Sequence, residues 1–113
     1  MFIIKGYITT FQPFANTRHV SQRCERLQIA NRLIQKENAK VIKIVIVDKG
    51  HKNGNEIHVI YNNGVVKIYN ANTHKYITVL IARISQIERY DIKITSTMRK
   101  KVKMHIKNGY NEL

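Results

Sequence analysis

Side chains suited to proton transfer and phosphate binding are concentrated in one stretch of the chain, residues 49–83. His51 and His58 can each take or give a proton near neutral pH. Thr78 and Arg83 can donate hydrogen bonds to a phosphate group. RNA cleavage without a metal needs this kind of set: a base for the 2′-hydroxyl proton, an acid for the departing 5′-oxygen, and donors around the phosphate. The candidate catalytic residues are therefore His51, His58, Thr78 and Arg83.

Three of these residues, and His74 as well, also have a purely structural interpretation. His58 lies in an alternating strand pattern and is then a half-exposed strand residue. His51 and His74 lie in predicted turns, where polar residues are ordinary. Thr78 favours a strand because its side chain is β-branched. The sequence leaves both interpretations open.

A metal site was considered for His51, His58 and His74 with Glu56, and the spacing argues against it. Structural and catalytic zinc sites use closely spaced pairs of Cys or His ligands, and no such pair occurs here. The chain also lacks the glycine-rich phosphate-binding signatures and the nucleophile motif GxSxG. We predict neither a metal nor another cofactor.

The charge of the chain is its strongest compositional feature. Twenty Lys and Arg residues against seven Asp and Glu give a net charge of +13 and a pI near 10.1. Such an excess attracts polyanions and favours contacts with phosphates, so RNA or another nucleic acid is the expected partner. A basic surface that only aids solubility, or one that binds an acidic protein, is the alternative. The candidate nucleic-acid-binding residues are Arg18, Arg23, Arg26, Lys52, Lys67, Lys75, Arg99, Lys100, Lys101, Lys103 and Lys107.

The elements that position these residues follow from hydrophobic periodicity. A helix is predicted at residues 17–38, because apolar residues such as Leu27, Ala30 and Ile34 follow one another at steps of three and four beside a basic face. Short β-branched or alternating runs predict the strands. Asn62-Asn63-Gly64 is a strong hairpin signal. The predicted strands are 2–11, 41–48, 56–61, 65–70 and 76–82.

Two features of the predicted sheet bear on the site. The run 41–48 is almost continuously apolar, which predicts a central strand buried on both faces. His58 alternates with Ile57 and Val59, which predicts that it projects to the same side as Lys67 or its neighbours.

The C-terminal part is predicted to be mainly helical. Residues 84–90 suit a short helix or turn, and 92–95 a short strand. A basic helix is predicted at 97–108, with Ser96 or Thr97 as its cap and with Met98, Val102 and Ile106 on its apolar face. Gly109 is expected to end this helix.

The chain as a whole, residues 1–113, is predicted to be one α+β domain. An N-terminal strand and helix pack on a four- to five-stranded antiparallel meander, and a basic C-terminal helix follows. No run is long enough to cross a membrane, and the N-terminal residues lack the pattern of a cleavable signal. The single cysteine, Cys24, excludes an internal disulfide, and the cytoplasm is the expected location.

This order of elements resembles the small endoribonuclease toxin domains of the barnase, colicin and RelE-like groups. The stretch VVKIYNANTHKYITVLIAR, residues 65–83, resembles their late hairpin, in which a strand, a turn with Asn and Thr, and an "I-T" strand follow one another. The resemblance covers roughly residues 17–83. It implies that Thr78 contacts the phosphate, that Arg83 neutralises it, and that His58 or His51 is the acid or base.

The predicted function is RNA binding with metal-independent endoribonuclease activity of the toxin type. The resemblance implies an acidic antitoxin or immunity protein as a further partner. One alternative is a non-catalytic basic module from a phage or other mobile element, which binds nucleic acid or inhibits a nucleic-acid-guided host enzyme. Another is a structural protein whose charge only aids solubility.

Overall fold

The computed structural model describes residues 18–48 and 55–110, with side chains from residue 25 onward. The predicted strand 2–11 and the loop 49–54, with His51 and Lys52, lie outside the described residues. The elements, numbered in chain order, are α1 (Arg18–Lys36), β1 (Val41–Val47), β2 (Glu56–Tyr61), β3 (Val65–Asn70), β4 (Tyr76–Ile81), α2 (Ile84–Arg89) and α3 (Ser96–Lys107).

The four strands form one antiparallel sheet in the order β1-β2-β3-β4. Each strand pairs with the one before it, because short connections bring consecutive strands side by side. The β2–β3 turn is closed by a hydrogen bond from the amide of Gly64 to the carbonyl of Tyr61, at 3.0 Å. Gly64 has φ of +91°, as expected for the glycine of a three-residue hairpin loop. The α+β class and the antiparallel meander are confirmed.

Alternation along the strands produces two apolar faces, and each is covered by helix. On one face, Leu27 and Ala30 of α1 pack against residues such as Val65, Val79 and Ile81. The other face is covered mainly by Ile87 of α2 and by Met98 and Val102 of α3, which pack against Ile60, Val66 and Ile68. Within the described residues the protein is therefore a single three-layer domain with the sheet in the middle.

The prediction that the strand 41–48 is buried on both faces is wrong. Among the described strands, β1 pairs only with β2 and lies at the edge of the sheet. Only Ile44 of β1 is buried, whereas Ile42 and Ile46 are exposed. A continuous apolar run is typical of a buried strand, but the order of strands in a meander is decided by the connections. Of the four described strands β1 is the first, so it has a described neighbour on one side.

Two predictions about the C-terminal region are also corrected. Residues 92–95 form an extended connection and not a strand. Thr95, and not Ser96 or Thr97, caps α3, since its Oγ1 accepts a hydrogen bond of 3.2 Å from the amide of Met98. The buried residues of α3 are Met98, Val102 and His105, whereas Ile106 is only half-buried.

Replacing Gly64 with alanine is expected to destabilise the fold by about 2–4 kcal/mol, because two costs add. A Cβ at this position would lie 2.6 Å from Cγ2 of Val102 in α3, and the positive φ disfavours any side chain. Gly109 is a matched control, since it has φ of +85° but no atom within 4 Å of a built Cβ. Gly109→Ala should cost only about 1 kcal/mol. Urea unfolding of both variants measures the difference, and equal losses would contradict the packing argument.

Candidate active site

A cavity of about 610 Å³ opens on the face of the sheet that carries α2 and α3. The sheet provides its floor, and the end of α2 with the following turn provides its wall. Among the residues that line it are Val45, His58 and Ile68 from three neighbouring strands. Glu56, Tyr90 and Asp91 add polar groups, and Lys43 and Arg89 add positive charge.

Three polar side chains form a hydrogen-bonded chain in this cavity. His58 is 7% exposed, with its Nε2 3.0 Å from Oε1 of Glu56 and its Nδ1 2.7 Å from the hydroxyl of Tyr90. An ionised carboxylate only accepts hydrogen bonds, so the Nε2–H of a neutral His58 donates to Glu56. Nδ1 then accepts from the Tyr90 hydroxyl. We call this arrangement the Glu56–His58–Tyr90 chain.

Tyr90 is held in its protonated form by its surroundings. Burial raises the pKa of the Tyr90 phenol, and the nearby Glu56 carboxylate raises it further. Both effects disfavour a phenolate. The hydroxyl therefore remains a donor to His58 at neutral pH, which agrees with the short distance between the two groups.

Sheet register places the first two members of this chain, and a tertiary contact places the third. Residues two apart in a strand share a face, so Glu56 and His58 project to the same side. His58 stands between Val45 of β1 and Ile68 of β3. Tyr90 comes directly after α2, and its ring meets the His58 ring edge-on at 5.7 Å between centroids.

A carboxylate, an imidazole and a hydroxyl in series can move a proton. When the hydroxyl oxygen receives a proton from a substrate, its own proton passes to the imidazole, and the carboxylate stabilises the resulting cation. The exposed Arg89 offers a guanidinium at the rim of the same cavity for an anionic group. Acid–base chemistry on a phosphate ester is the reaction that this combination fits.

The four predicted catalytic residues do not all meet at this cavity. His58 lines it, whereas Thr78 and Arg83 do not. Thr78 projects from the same face of the sheet as His58, but Ile68 stands between them, so the two are about 10 Å apart at the backbone. Arg83 is exposed at the start of α2, where its amide donates to Oε1 of Gln86 at 2.8 Å. His51 lies outside the described residues.

Of the two predicted alternatives, that His58 projects to the side of Lys67 or to that of its neighbours, the structure shows the second. The register pairs Lys67 with Val59 and His58 with Ile68, so the two side chains lie on opposite faces of the sheet. Lys67 is half-buried, with its Nζ 5.5 Å from the centre of the Tyr61 ring. Burial lowers the pKa of its ammonium group. The role of Lys67 in nucleic-acid binding stays a prediction.

The other predicted nucleic-acid-binding residues whose side chains the structure describes come from several elements. Lys75 is exposed in the β3–β4 turn, and Arg26 is half-buried on α1. Arg18 and Arg23 belong to α1, and their side chains lie outside the described residues, as does Lys52. Most of the basic residues of α3 are exposed, namely Arg99, Lys100, Lys103 and Lys107, whereas Lys101 is half-buried.

Tyr90 and Lys43 were not predicted from the sequence, and Glu56 was considered only as a metal ligand. The E-x-H spacing of Glu56 and His58 was a usable signal, because it places both side chains on one strand face. Tyr90 had no such signal, since 32 residues separate it from His58. Only the packing of α2 on the sheet brings them together.

Comparisons with known proteins identify no relative: no protein-family model, no curated protein and no solved structure matches this chain. Among the described helices, none has the length and apolar character needed to span a membrane. The function is therefore argued from the site and from the charge of the chain.

Proposed function

We propose that this protein binds RNA and cleaves it without a metal, with His58 at the centre of the proton transfer. The observation that carries the proposal is the Glu56–His58–Tyr90 chain in a cavity rimmed by an exposed cation, Arg89. The net charge of +13 supports the proposal, because so basic a protein attracts polyanions such as RNA.

The proposed reaction follows from the order of groups in the Glu56–His58–Tyr90 chain. The 2′-oxygen of the RNA forms a bond to phosphorus, and the bond from phosphorus to the 5′-oxygen breaks. The 2′-hydroxyl proton passes to the Tyr90 oxygen while the Tyr90 proton passes to Nδ1 of His58. Glu56 stabilises the imidazolium, which returns the proton through Tyr90 to the departing 5′-oxygen. The products are a 2′,3′-cyclic phosphate and a free 5′-hydroxyl.

Three further residues stay part of the proposal on the strength of the toxin resemblance. Thr78 is proposed to contact the phosphate, Arg83 to neutralise it, and His51 to serve as a second acid or base. We expect Arg83→Ala to slow cleavage strongly if the guanidinium contacts the phosphate. The same proposal includes an acidic antitoxin or immunity protein as partner and the cytoplasm as location.

The direct test is incubation of purified protein with RNA in the presence of EDTA. Cleavage that leaves 2′,3′-cyclic phosphate ends, with DNA of the same sequence left intact, is the expected result, because DNA lacks the attacking hydroxyl. Intact RNA after long incubation with micromolar protein would overturn the catalytic proposal.

A second candidate is a non-catalytic nucleic-acid-binding module, and the surface of α3 favours it. Arg99, Lys103 and Lys107 are exposed and recur every four residues, which places them in one stripe about 12 Å long. This stripe has no acidic residue within α3, so an external anion is its natural counterpart. RNA binding and RNA cleavage can be tested separately. His58→Gln should leave RNA affinity unchanged under either function and should slow cleavage only if the protein is a nuclease.

Substituting the three stripe residues with glutamine is expected to reduce the salt dependence of RNA binding. The logarithm of the affinity falls by about 0.7 per phosphate contact for single strands as the logarithm of the salt concentration rises, so three lost contacts lower the slope by about 2. Lys40→Gln/Lys93→Gln is the control, because both lysines are exposed outside α3. Fluorescence anisotropy over a salt series gives the slopes. An unchanged slope would remove α3 from the interface.

A further inference from the structure

We infer that Lys43 is a positioning residue, whose ammonium group holds the turn after α2 so that the Tyr90 hydroxyl points at His58. The inference rests on the proposed function for its catalytic consequence. Its structural part concerns the free protein and can be tested without RNA.

Lys43 lines the cavity, and its described hydrogen bonds are made to backbone oxygens. Lys43 lies on β1 opposite Ile60, and its half-buried side chain reaches the end of α2. Its Nζ donates a hydrogen bond of 2.6 Å to the carbonyl of Tyr90 and lies 3.4 Å from the carbonyl of Asp91. An ammonium group engaged in this way orients the backbone rather than binding the phosphate.

The end of α2 is where such a contact matters most. The last carbonyl groups of a helix have no partner within the helix, and a cation placed there is favourable. The next residue, Asp91, has φ of +60°, a conformation that is uncommon outside glycine. Lys43 therefore satisfies the carbonyl groups of a turn whose backbone has an intrinsic cost.

Little else within α2 fixes the position of Tyr90. The helix has six residues, which is too short to be stable alone, and Ile87 is its one fully buried side chain. In the described contacts the Tyr90 hydroxyl bonds to His58, and its ring packs beside the apolar cluster under α2 and α3 without fixing the direction of the hydroxyl. Without the Lys43 contact, the turn can rotate and the Tyr90 hydroxyl loses its direction toward Nδ1.

The test compares Lys43→Met with Lys93→Met and Lys43→Arg. Methionine keeps the apolar stem and removes the donor, and Lys93 is an exposed lysine three residues after Tyr90, so its loss changes the net charge equally. Arginine restores a cationic donor. If Lys43→Met does not fold, Lys43→Gln takes its place under the same criteria.

The first readout is NMR of the free protein with ¹³C-labelled tyrosine and ¹⁵N-labelled histidine. The Tyr90 signal is assigned with Tyr90→Phe. In Lys43→Met we expect Tyr90 to titrate closer to the ordinary tyrosine value, because a released phenol loses its burial and its proximity to Glu56. The His58 Nδ1 signal should shift to that of a ring without its hydroxyl partner, whereas Lys93→Met and Lys43→Arg should keep both signals.

The second readout is RNA cleavage, in which kcat should fall by about 10–100-fold in Lys43→Met while KM changes less than about twofold. A rise in KM alone would overturn the inference, since it would make Lys43 a substrate contact. Unchanged Tyr90 and His58 signals would overturn it as well, whatever happens to RNA. If the signals change but the wild-type protein leaves RNA intact, the positioning role stands and the proposed function fails.

Discussion

Replacing His58 with glutamine is expected to lower the rate of RNA cleavage by about 10³-fold, within the range that a single acid–base group contributes. The physical reason is that His58 is the only member of the Glu56–His58–Tyr90 chain that can hold an extra proton near neutral pH. Glutamine keeps a hydrogen-bonding side chain of similar length but cannot take a proton. The fold should therefore persist while the proton transfer fails.

The control for this substitution is His74→Asn. His74 is half-buried in the β3–β4 turn, does not line the cavity, and has φ of +59°, which asparagine tolerates better than most residues. It should leave cleavage unchanged. Single-turnover kinetics in EDTA measure the chemical step. Equal rates for wild type and His58→Gln would refute a role for His58 in proton transfer.

A double substitution sharpens the same prediction. Tyr90→Phe alone should slow cleavage, because it removes the hydroxyl at the end of the chain. Groups that act as a unit are not additive, so Tyr90→Phe in the His58→Gln background should cost little more than His58→Gln alone. Fully additive losses would instead mean that Tyr90 acts on the substrate independently of His58.

The sequence predicted the elements of the sheet better than their arrangement. Residues 56–61, 65–70 and 76–82 follow local alternation and turn chemistry, and the observed strands agree with them to within one residue. The position of β1 could not be read from its composition, because Ile42 and Ile46 are as apolar as buried strand residues. They are nevertheless exposed, and β1 stands first in the order of the four described strands, which the connections decide.

The candidate site shows the same division between local and long-range information. His58 was predicted because its residue type is informative wherever it lies. Tyr90 and Lys43 owe their roles to contacts across 32 and 47 residues, and tyrosine and lysine are common surface residues elsewhere in the chain. The choice between Lys67 and its neighbours as the residues beside His58 was open for a third reason, since the face of Lys67 depends on the register across the β2–β3 turn. A shift of one residue in register moves a side chain to the other face.

A second buried polar cluster, remote from the cavity, links three elements of the fold. Oε1 of Glu37, just after α1, accepts hydrogen bonds from Nδ2 of Asn63 at 3.0 Å and from Nε2 of His105 at 2.7 Å. Asn63 in the β2–β3 turn is fully buried, and His105 on α3 is 2% exposed. Among the described residues, Nδ1 of His105 has no hydrogen-bond partner, and the side-chain hydrogen bond of this histidine is the one to Glu37.

Replacing Glu37 with alanine is therefore expected to destabilise the protein by about 3–5 kcal/mol. One substitution leaves two buried donors unpaired, and each such group costs about 1–3 kcal/mol. Removing one partner of a buried His–carboxylate pair costs a similar amount. Urea unfolding measures the loss. Glu25→Ala is the control, because Glu25 is an exposed carboxylate of α1 and should change stability by less than about 0.5 kcal/mol.

The destabilisation caused by the unpaired donors can be distinguished from that caused by lost packing around Glu37. If unpaired donors cause the destabilisation, removing the donor of His105 as well should restore part of the lost stability. His105→Phe should therefore cost less free energy of unfolding in the Glu37→Ala background than in the wild type. Additive losses would assign the effect to packing. None of these three residues lines the 610 Å³ cavity, so cleavage per folded molecule should be unchanged in Glu37→Ala. The two histidines that are buried among the described residues would then have separate roles, His58 in chemistry and His105 in joining α3 to the rest of the fold.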